Sequence, residues 1–156
     1  MIVSISFSTV TLFIVFLFLA IYNAGCMTTL QLQHYGIYPA VPKEGFAEYM
    51  RANNRAAALP TILPGMLLLL SSIVLVIFRP SVVRPYEAWS ALALNLVTLF
   101  STFRWQRRLQ GEMAVAGYDE MKVRVLVRTN WIRTTCYWLL AGLAISILTR
   151  VLSTVR

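Results

Sequence analysis

Four long stretches of this chain carry no charged side chain, with short polar passages between them. No Lys, Arg, Asp or Glu precedes Lys43, and the run from Ile2 to Leu30 is almost wholly apolar. That run exceeds the ~20 apolar residues that cross a bilayer, and a soluble domain of this size has no core able to bury it. The second uncharged stretch lies between Arg55 and Arg79, the third between Glu87 and Arg104, and the fourth between Arg133 and Arg150. The pattern predicts an all-α, four-helix transmembrane bundle of up-down, antiparallel topology, forming a single integral membrane domain over 1–156. The predicted helices run over roughly 2–34, 56–79, 86–108 and 119–150.

Local residues refine these bounds. The first helix should continue through Gln31, Gln33 and His34 until Gly36 and Pro39 break it. Pro60 suits a helix start, whereas Pro64 predicts a kink. The run RPSVVRPY, from Arg79 to Tyr86, reads as a proline-punctuated turn, and Glu87 then falls at the positive end of the next helix dipole. GFAEYMRANNRAAAL has helical spacing and leads along the interface or into the second helix. Between Gln106 and Asn130 the pattern predicts helix, a break around Gly117, and helix again. The first segment has no basic residue ahead of its long apolar run, which predicts a retained helix and not a cleaved signal peptide.

The third and fourth uncharged stretches hold 16 residues each. At 1.5 Å per residue they span ~24 Å, less than the ~30 Å hydrocarbon core. Arg104 and Arg133 must therefore snorkel to the interface or be held inside the bundle. Trp105, Trp131 and Trp138 lie where interfacial belt residues belong.

Only 13% of the 156 residues are charged, against about a quarter in soluble domains, so composition agrees with the hydrophobic pattern. The net charge of +8 comes from basic residues beside the apolar blocks, where they meet anionic lipid headgroups. No nucleic-acid module accompanies them. Lys43, Arg51 and Arg55 precede the second helix, and Arg104, Arg107, Arg108, Lys122, Arg124, Arg128 and Arg133 lie between the third and fourth. Arg79, Arg84, Arg150 and Arg156 fall on the opposite side. Ten against four predicts a multi-pass inner-membrane protein with cytoplasmic long loops and both termini outside.

Polar residues inside the apolar blocks supply the candidate chemistry. Asn23, Met27, Gln31 and His34 form one stripe, Asn95, Thr98 and Thr102 another leading to Trp105 and Gln106, and Asn130, Thr134 and Tyr137 a third. Each stripe alone reads as ordinary interhelical hydrogen bonding, but all lie toward the cytoplasmic half. His34 is the only histidine and the one side chain ready for proton transfer near neutral pH. It has no metal-ligating partners at a useful spacing, and Cys26 and Cys136 form neither a CxxC nor a disulfide framework. No metal and no cofactor is expected in one chain. The runs FRWQRRLQ and KVRVLVRTNWIRT place Arg104, Arg107 and Arg108 on one face and Arg124 and Arg128 on another. With Arg133 these guanidinium groups could surround an anion, because Arg recognises carboxylate or phosphate bidentately; the plainer reading is positive-inside anchoring.

QLQHYGIYP followed by GFAEY, and LVRTNWIRTTCYW at the start of the last helix, resemble a group of small bacterial four-helix membrane proteins. That group is similar in layout to the anthrone-oxygenase-like family, whose last helix opens with an Asn or Trp and Arg signature. The resemblance implies cofactor-free oxygenation of a polycyclic aromatic, with His34 as base and Asn130, Trp131 and Arg133 lining the site. Arg51 and Ala52, followed by Asn and then Pro, are also similar to the second-helix motif of the glutathione-using four-helix membrane enzymes. There Arg55 replaces the motif's Asn and Ala58 its Glu, so the glutathione site does not carry over.

Two functions follow. The first is a pocket at the cytoplasmic helix ends that binds or oxidises a hydrophobic or aromatic small molecule. His34 would be its catalytic residue, and Gln31, Arg104, Arg124, Arg128, Asn130, Trp131 and Arg133 its ligand contacts. The second is a non-catalytic accessory subunit docking on a larger membrane complex or on its own copies. A transporter is disfavoured, since no acidic residue lies mid-membrane.

Overall fold

The computed structural model describes residues 7–154, and the beginning of the predicted first helix and Arg156 lie outside them. Six α-helices run over Phe7–Thr29 (α1), Phe46–Ala56 (α2), Leu63–Ile77 (α3), Pro85–Ser101 (α4), Arg108–Ala116 (α5) and Glu120–Thr154 (α6). No strand occurs among the described residues. Three segments of π-helix join them, Leu30–His34 after α1, Ala58–Ile62 before α3, and Thr102–Arg107 between α4 and α5. Three helical spans are long and apolar enough to cross a membrane: Thr11–Ala40, Ala58–Ile77 and Glu120–Ser153. The third predicted helix is not among them; its buried face carries the polar residues Glu87, Asn95, Thr98 and Ser101.

α1 packs against α3 and α6, and α4 packs against the same two helices. Phe16, Leu68, Leu75, Leu140 and Ile147 fill the space between them. Ala20 and Ala24 of α1, Ala88 and Ala91 of α4, and Ala141 and Ala144 of α6 are also buried here. Small side chains at such contacts let helix backbones approach closely, which is how helices associate where lipid offers no hydrophobic drive.

A second core closes one end. Tyr35 and Tyr38 from the 3₁₀ turn Tyr35–Ala40 pack with Phe46 and Met50 of α2, Met113 of α5 and Leu126 of α6. At the predicted break the helix tightens into 3₁₀ geometry from Tyr35 and ends at Ala40, where Val41 is extended. Arg51 Nη1 donates to the Ala114 carbonyl at 2.9 Å, tying α2 to the last turn of α5. The break near Gly117 is present: Gly117 has φ +85°, a conformation costly for any residue with a Cβ. Asp119 then accepts the Lys122 amide at 3.0 Å, capping the start of α6.

Pro64 shows how the chain answers a lost donor. A non-proline residue there would bond the Pro60 carbonyl one turn back. That carbonyl instead accepts from the Tyr22 hydroxyl at 3.1 Å and the Cys26 thiol at 3.6 Å, both on α1. Pro64 itself falls in the first turn of α3, directly after the π-helical segment Ala58–Ile62.

At the opposite end, Glu87 is buried in the first turn of α4. Arg150 of α6 grips it bidentately, with both N–O distances 2.7 Å, and Arg150 Nη2 also donates to the Val82 carbonyl at 2.9 Å. Glu87 Oε2 accepts the Arg84 amide at 2.7 Å, and Arg79 closes the turn by donating to the Val83 carbonyl at 2.7 Å.

Candidate ligand pocket

A cavity of about 270 Å³ lies at the end of the molecule that carries His34 and Arg133, walled by α2, α3, α4, α5 and α6 and by the helical turns that follow α1. Chain direction gives it a depth. Asn53 and Asn54 of α2 and Gln110 of α5 stand at the mouth; His34, Tyr35, Gln106 and Arg133 form the middle; Gly65, Asn95, Thr98 and Tyr137 form the floor. Met66, Leu69 and Leu99 supply apolar wall.

Every π-helical segment among the described residues reaches this cavity. Leu30 and His34 come from the first, Thr61 and Ile62 from the second, and Thr102, Phe103, Gln106 and Arg107 from the third. A π turn inserts one residue into a helix and rotates the side chains beyond it, and such turns concentrate at functional sites. The rotation around Thr102–Arg107 is what brings Gln106 inward, 1% exposed, while its neighbours Trp105 and Arg107 remain open to the surroundings.

A polar network stands behind the middle layer. Asn130 Nδ2 donates to Gln31 Oε1 at 2.8 Å, and Gln31 Nε2 donates to the Val127 carbonyl at 3.3 Å. Arg133 Nη1 donates to Asn130 Oδ1 at 3.2 Å. Gln106 Nε2 donates to the Leu126 carbonyl at 3.2 Å and to Thr129 Oγ1 at 3.1 Å, while its Oε1 accepts the Tyr35 hydroxyl at 3.3 Å. The network fixes Arg133 from behind and leaves Nε buried with no hydrogen-bond partner. Asn95 presents the opposite polarity. Its Nδ2 donates to Ser72 Oγ at 2.8 Å and the Ala91 carbonyl at 3.1 Å, and its buried Oδ1 accepts nothing.

His34 is half-buried at the cavity wall. Its Nε2 and the Tyr38 hydroxyl share a hydrogen bond of 3.3 Å, and Asn53 Nδ2 donates to that hydroxyl at 3.5 Å. Tyr49 of α2 stacks on the imidazole with ring centres 6.5 Å apart, and burial pushes its phenol above the ordinary value. Beyond the mouth, hydrogen bonds from Arg108 and Lys122 hold the Glu112 carboxyl below the usual range.

No protein-family model, curated protein or solved structure matches the chain. The site is accordingly read from its own geometry.

Of the residues singled out from sequence, His34 and Arg133 line the cavity, and Gln31 and Asn130 support it from behind. Arg104, Arg124, Arg128 and Trp131 do not reach it. The face of α6 that turns inward is Val123, Leu126, Asn130, Thr134 and Tyr137, which leaves Arg124, Arg128 and Trp131 exposed. Arg124 pairs with Glu120 at 2.8 Å, and Arg104 lies over the Trp105 ring at 5.8 Å. The supposed cluster of guanidinium groups is thus one inward Arg with Arg107 at the rim. The polar stripes fared better, since Asn95, Thr98, Thr102, Gln106 and Tyr137 all line the cavity. Tyr35, Asn53, Gly65 and Gln110 were missed. Tyr35 beside His34, and Asn53 inside the RANN run, carried a signal in their polarity within apolar surroundings; Gly65 carried none.

Among the described residues no group of His, Cys, Asp and Glu is placed to hold a metal. What the cavity offers is hydrogen-bond recognition: a charged donor midway, a carboxamide acceptor at the floor, and one imidazole.

Proposed function

We propose that the chain is an up-down four-helix bundle crossing the inner membrane, with its long polar connections on the cytoplasmic side. In this reading the cavity binds a hydrophobic or aromatic small molecule through a polar group held by Arg133. The observation that carries it is Arg133 in the cavity wall, its guanidinium fixed by Asn130 and its Nε buried without a hydrogen-bond partner. A buried donor left unmade costs about 1–3 kcal/mol, and more when charged, so an oxygen acceptor at this point gains what the free protein lacks.

The similarity to the anthrone-oxygenase-like group adds a chemistry. A phenolic aromatic seated against Arg133 would place its acidic proton near His34, and His34 is the imidazole in the wall of that cavity. Asn53, Tyr38 and Tyr49 orient the ring for that role.

The test is native mass spectrometry of protein released from its own lipid, on wild type and Arg133→Lys. A small molecule held by wild type and lost by the variant supports the pocket, since Lys keeps the charge but not the planar donor set. A ligand held equally by both, or a stoichiometric protein partner with an empty cavity, overturns it in favour of the accessory subunit.

A further inference from the structure

We propose that this cavity is loaded sideways from the bilayer, through a window in its wall, and that its ligand is a fatty-acid-like amphiphile with one hydrocarbon tail and an anionic head. The inference rests on the pocket reading above and narrows its ligand class and route of entry.

Backbone packing draws the window. The chain passes from α2 through the π-helical segment Ala58–Ile62 into α3, and from α4 through Thr102–Arg107 into α5. Toward the molecule's centre α3 packs on α4, fastened by the 2.8 Å hydrogen bond from Asn95 to Ser72. At the other end α2 packs on α5, where Phe46 and Met50 meet Met113 and Arg51 bonds the Ala114 carbonyl. Between these two contacts no Cα of Ala58–Ile62 comes within 8 Å of one in Thr102–Arg107. Thr61 and Ile62 on one side, and Thr102 and Phe103 on the other, line the same cavity, so the gap opens into it. Asn53 and Asn54 of α2 and Gln110 of α5 then form its roof. In the proposed topology the roof faces the cytoplasm and the gap faces lipid.

The rim is graded as an amphiphile is. Its upper edge holds Asn54, Arg107 and Gln110, and its lower edge Ile62, Met66 and Phe103, which are 44%, 46% and 61% exposed. Ile62 and Met66 lie four and eight residues into the apolar span Ala58–Ile77, ~6 and ~12 Å at 1.5 Å per residue. Headgroups give way to acyl chains at that depth, so a lipid-borne amphiphile enters without changing level. Arg133 stands at the same height: Gln106 bonds Thr129, and Phe103 and Arg133 each lie one turn inward of that bond. Asn130 holds Arg133 and itself bonds Gln31 beyond α1, which fixes the cation on the α1–α6 side, across from the gap. Arg133 and Arg107 line the cavity, and among the described residues no Asp or Glu does, so the site attracts an anionic head and repels a cationic one. With the tail left in hydrocarbon at Met66 and Phe103, about 270 Å³ has to hold only the head and first carbons. Pockets that enclose a whole drug-sized ligand measure ~300–1,000 Å³.

The window is tested without ligand. In a cysteine-free background, nitroxide labels on Thr102→Cys and, separately, on Thr61→Cys across the gap are exposed to oxygen, which concentrates in lipid, and to a nickel chelate confined to water. Both labels should collide more with oxygen; the reverse at either site opens the cavity to water and overturns the lateral route, leaving the pocket standing. The ligand is tested on wild-type protein in nanodiscs, where no variant's folding enters. Palmitic acid with a diazirine beside its carboxyl should, on irradiation, label residues inside the cavity, and palmitic acid with the diazirine at its chain end should label only lipid-facing residues of α3 and α4. Excess palmitic acid should abolish the cavity labelling, and hexadecyltrimethylammonium should not. Cavity labelling by both probes alike overturns the tail's exit, and equal displacement by the cation overturns the anionic head. Absence of cavity labelling, with a co-purifying ligand still lost in Arg133→Lys, overturns this inference alone. Failure of every ligand to respond to Arg133→Lys removes the pocket with it.

Discussion

Glu87 offers the sharpest test of how the helices are held, because three contacts of 2.7 Å converge on one carboxylate that is 3% exposed. Glu87→Ala removes both carboxylate contacts of the Arg150 guanidinium and uncaps the Arg84 amide. Breaking a buried pair costs about 3–5 kcal/mol when both ions are sealed from water. The Arg150 side chain is 29% exposed and recovers part of its hydration, which brings the pair to ~2–3 kcal/mol. Loss of the cap adds ~1 kcal/mol. For a chain of 156 residues, ~3–4 kcal/mol corresponds to a fall in melting temperature of about 6–16 °C. The chain supplies its own probes: Cys136 is buried and Cys26 half-buried, so a thiol-reactive dye reports unfolding directly. Glu87→Gln keeps the shape and one acceptor oxygen, and should lose about half as much. The difference between Glu87→Ala and wild type should persist on raising salt to about 0.5 M, since a buried pair is weakly screened. A Glu87→Ala variant that melts within about 2 °C of wild type would refute the claim that this pair fastens α4 to α6.

Three further outcomes are expected. In a cysteine-free background, single cysteines at Lys43 and Val115 should resist an impermeant outside reagent and one at Ser81 should label; the reverse pattern would invert the proposed orientation. Gly117→Ala forces φ +85° on a residue with a Cβ and should lower stability by about 1–2 kcal/mol, read by hydrogen exchange across the α5–α6 junction, with unchanged exchange counting against it. The Glu112 carboxyl should titrate below free glutamate, so its pairs with Arg108 and Lys122 support the fold fully above the ordinary value and fade as pH falls through the lowered one. A carbon chemical-shift midpoint at the ordinary value, in wild type and Arg108→Ala alike, would dismiss that pairing.

The helical class and three of the spans were legible because long uncharged runs admit little else. The break at Gly117 and the place of Glu87 in the first turn of α4 were legible for a similar reason, since each rests on a rule local to a few residues, whereas the pairing of Glu87 with Arg150 spans 63 residues and was not. What escaped was rotation about the helix axis. Arg124 and Arg128 do share a face, as their spacing requires, yet nothing in that spacing says whether the face turns inward. The deciding fact is that Leu126 and Asn130 point at Gln31 and Gln106, a relation across 20 to 99 residues. The π-helical segments hid the rest. Each shifts the helical register by one residue, so a stripe drawn at steps of three and four drifts off its true face beyond Leu30 or Thr102. That is why Gln106 was placed in a stripe with Trp105, whereas the two side chains part company, one buried and one half-exposed.

The distribution of unmet polar atoms separates the two ends of the molecule. Around Glu87, each charged group meets a partner, and Arg79, Arg84 and Arg150 all bond side chains or carbonyls nearby. Around the cavity, Arg133 Nε and Asn95 Oδ1 go without, and Asn23 Oδ1 joins them within 3.7 Å of where a side chain on Gly65 would begin. Each such atom works against folding by about 1–3 kcal/mol, and three irregular helical segments at the same end add to that burden. Removing the burden would have been simple: a Leu in place of Asn95 or Arg133 satisfies a membrane interior at no electrostatic cost. A chain that is otherwise frugal with charge keeps these groups together, at one depth range, around one space. Stability concentrated at the Glu87 end and withheld at the Arg133 end is the pattern of a scaffold that supports a binding site, and a ligand meeting those atoms should raise the melting temperature of wild type but not of Arg133→Lys. A ligand that stabilises both equally would place its binding energy elsewhere on the bundle.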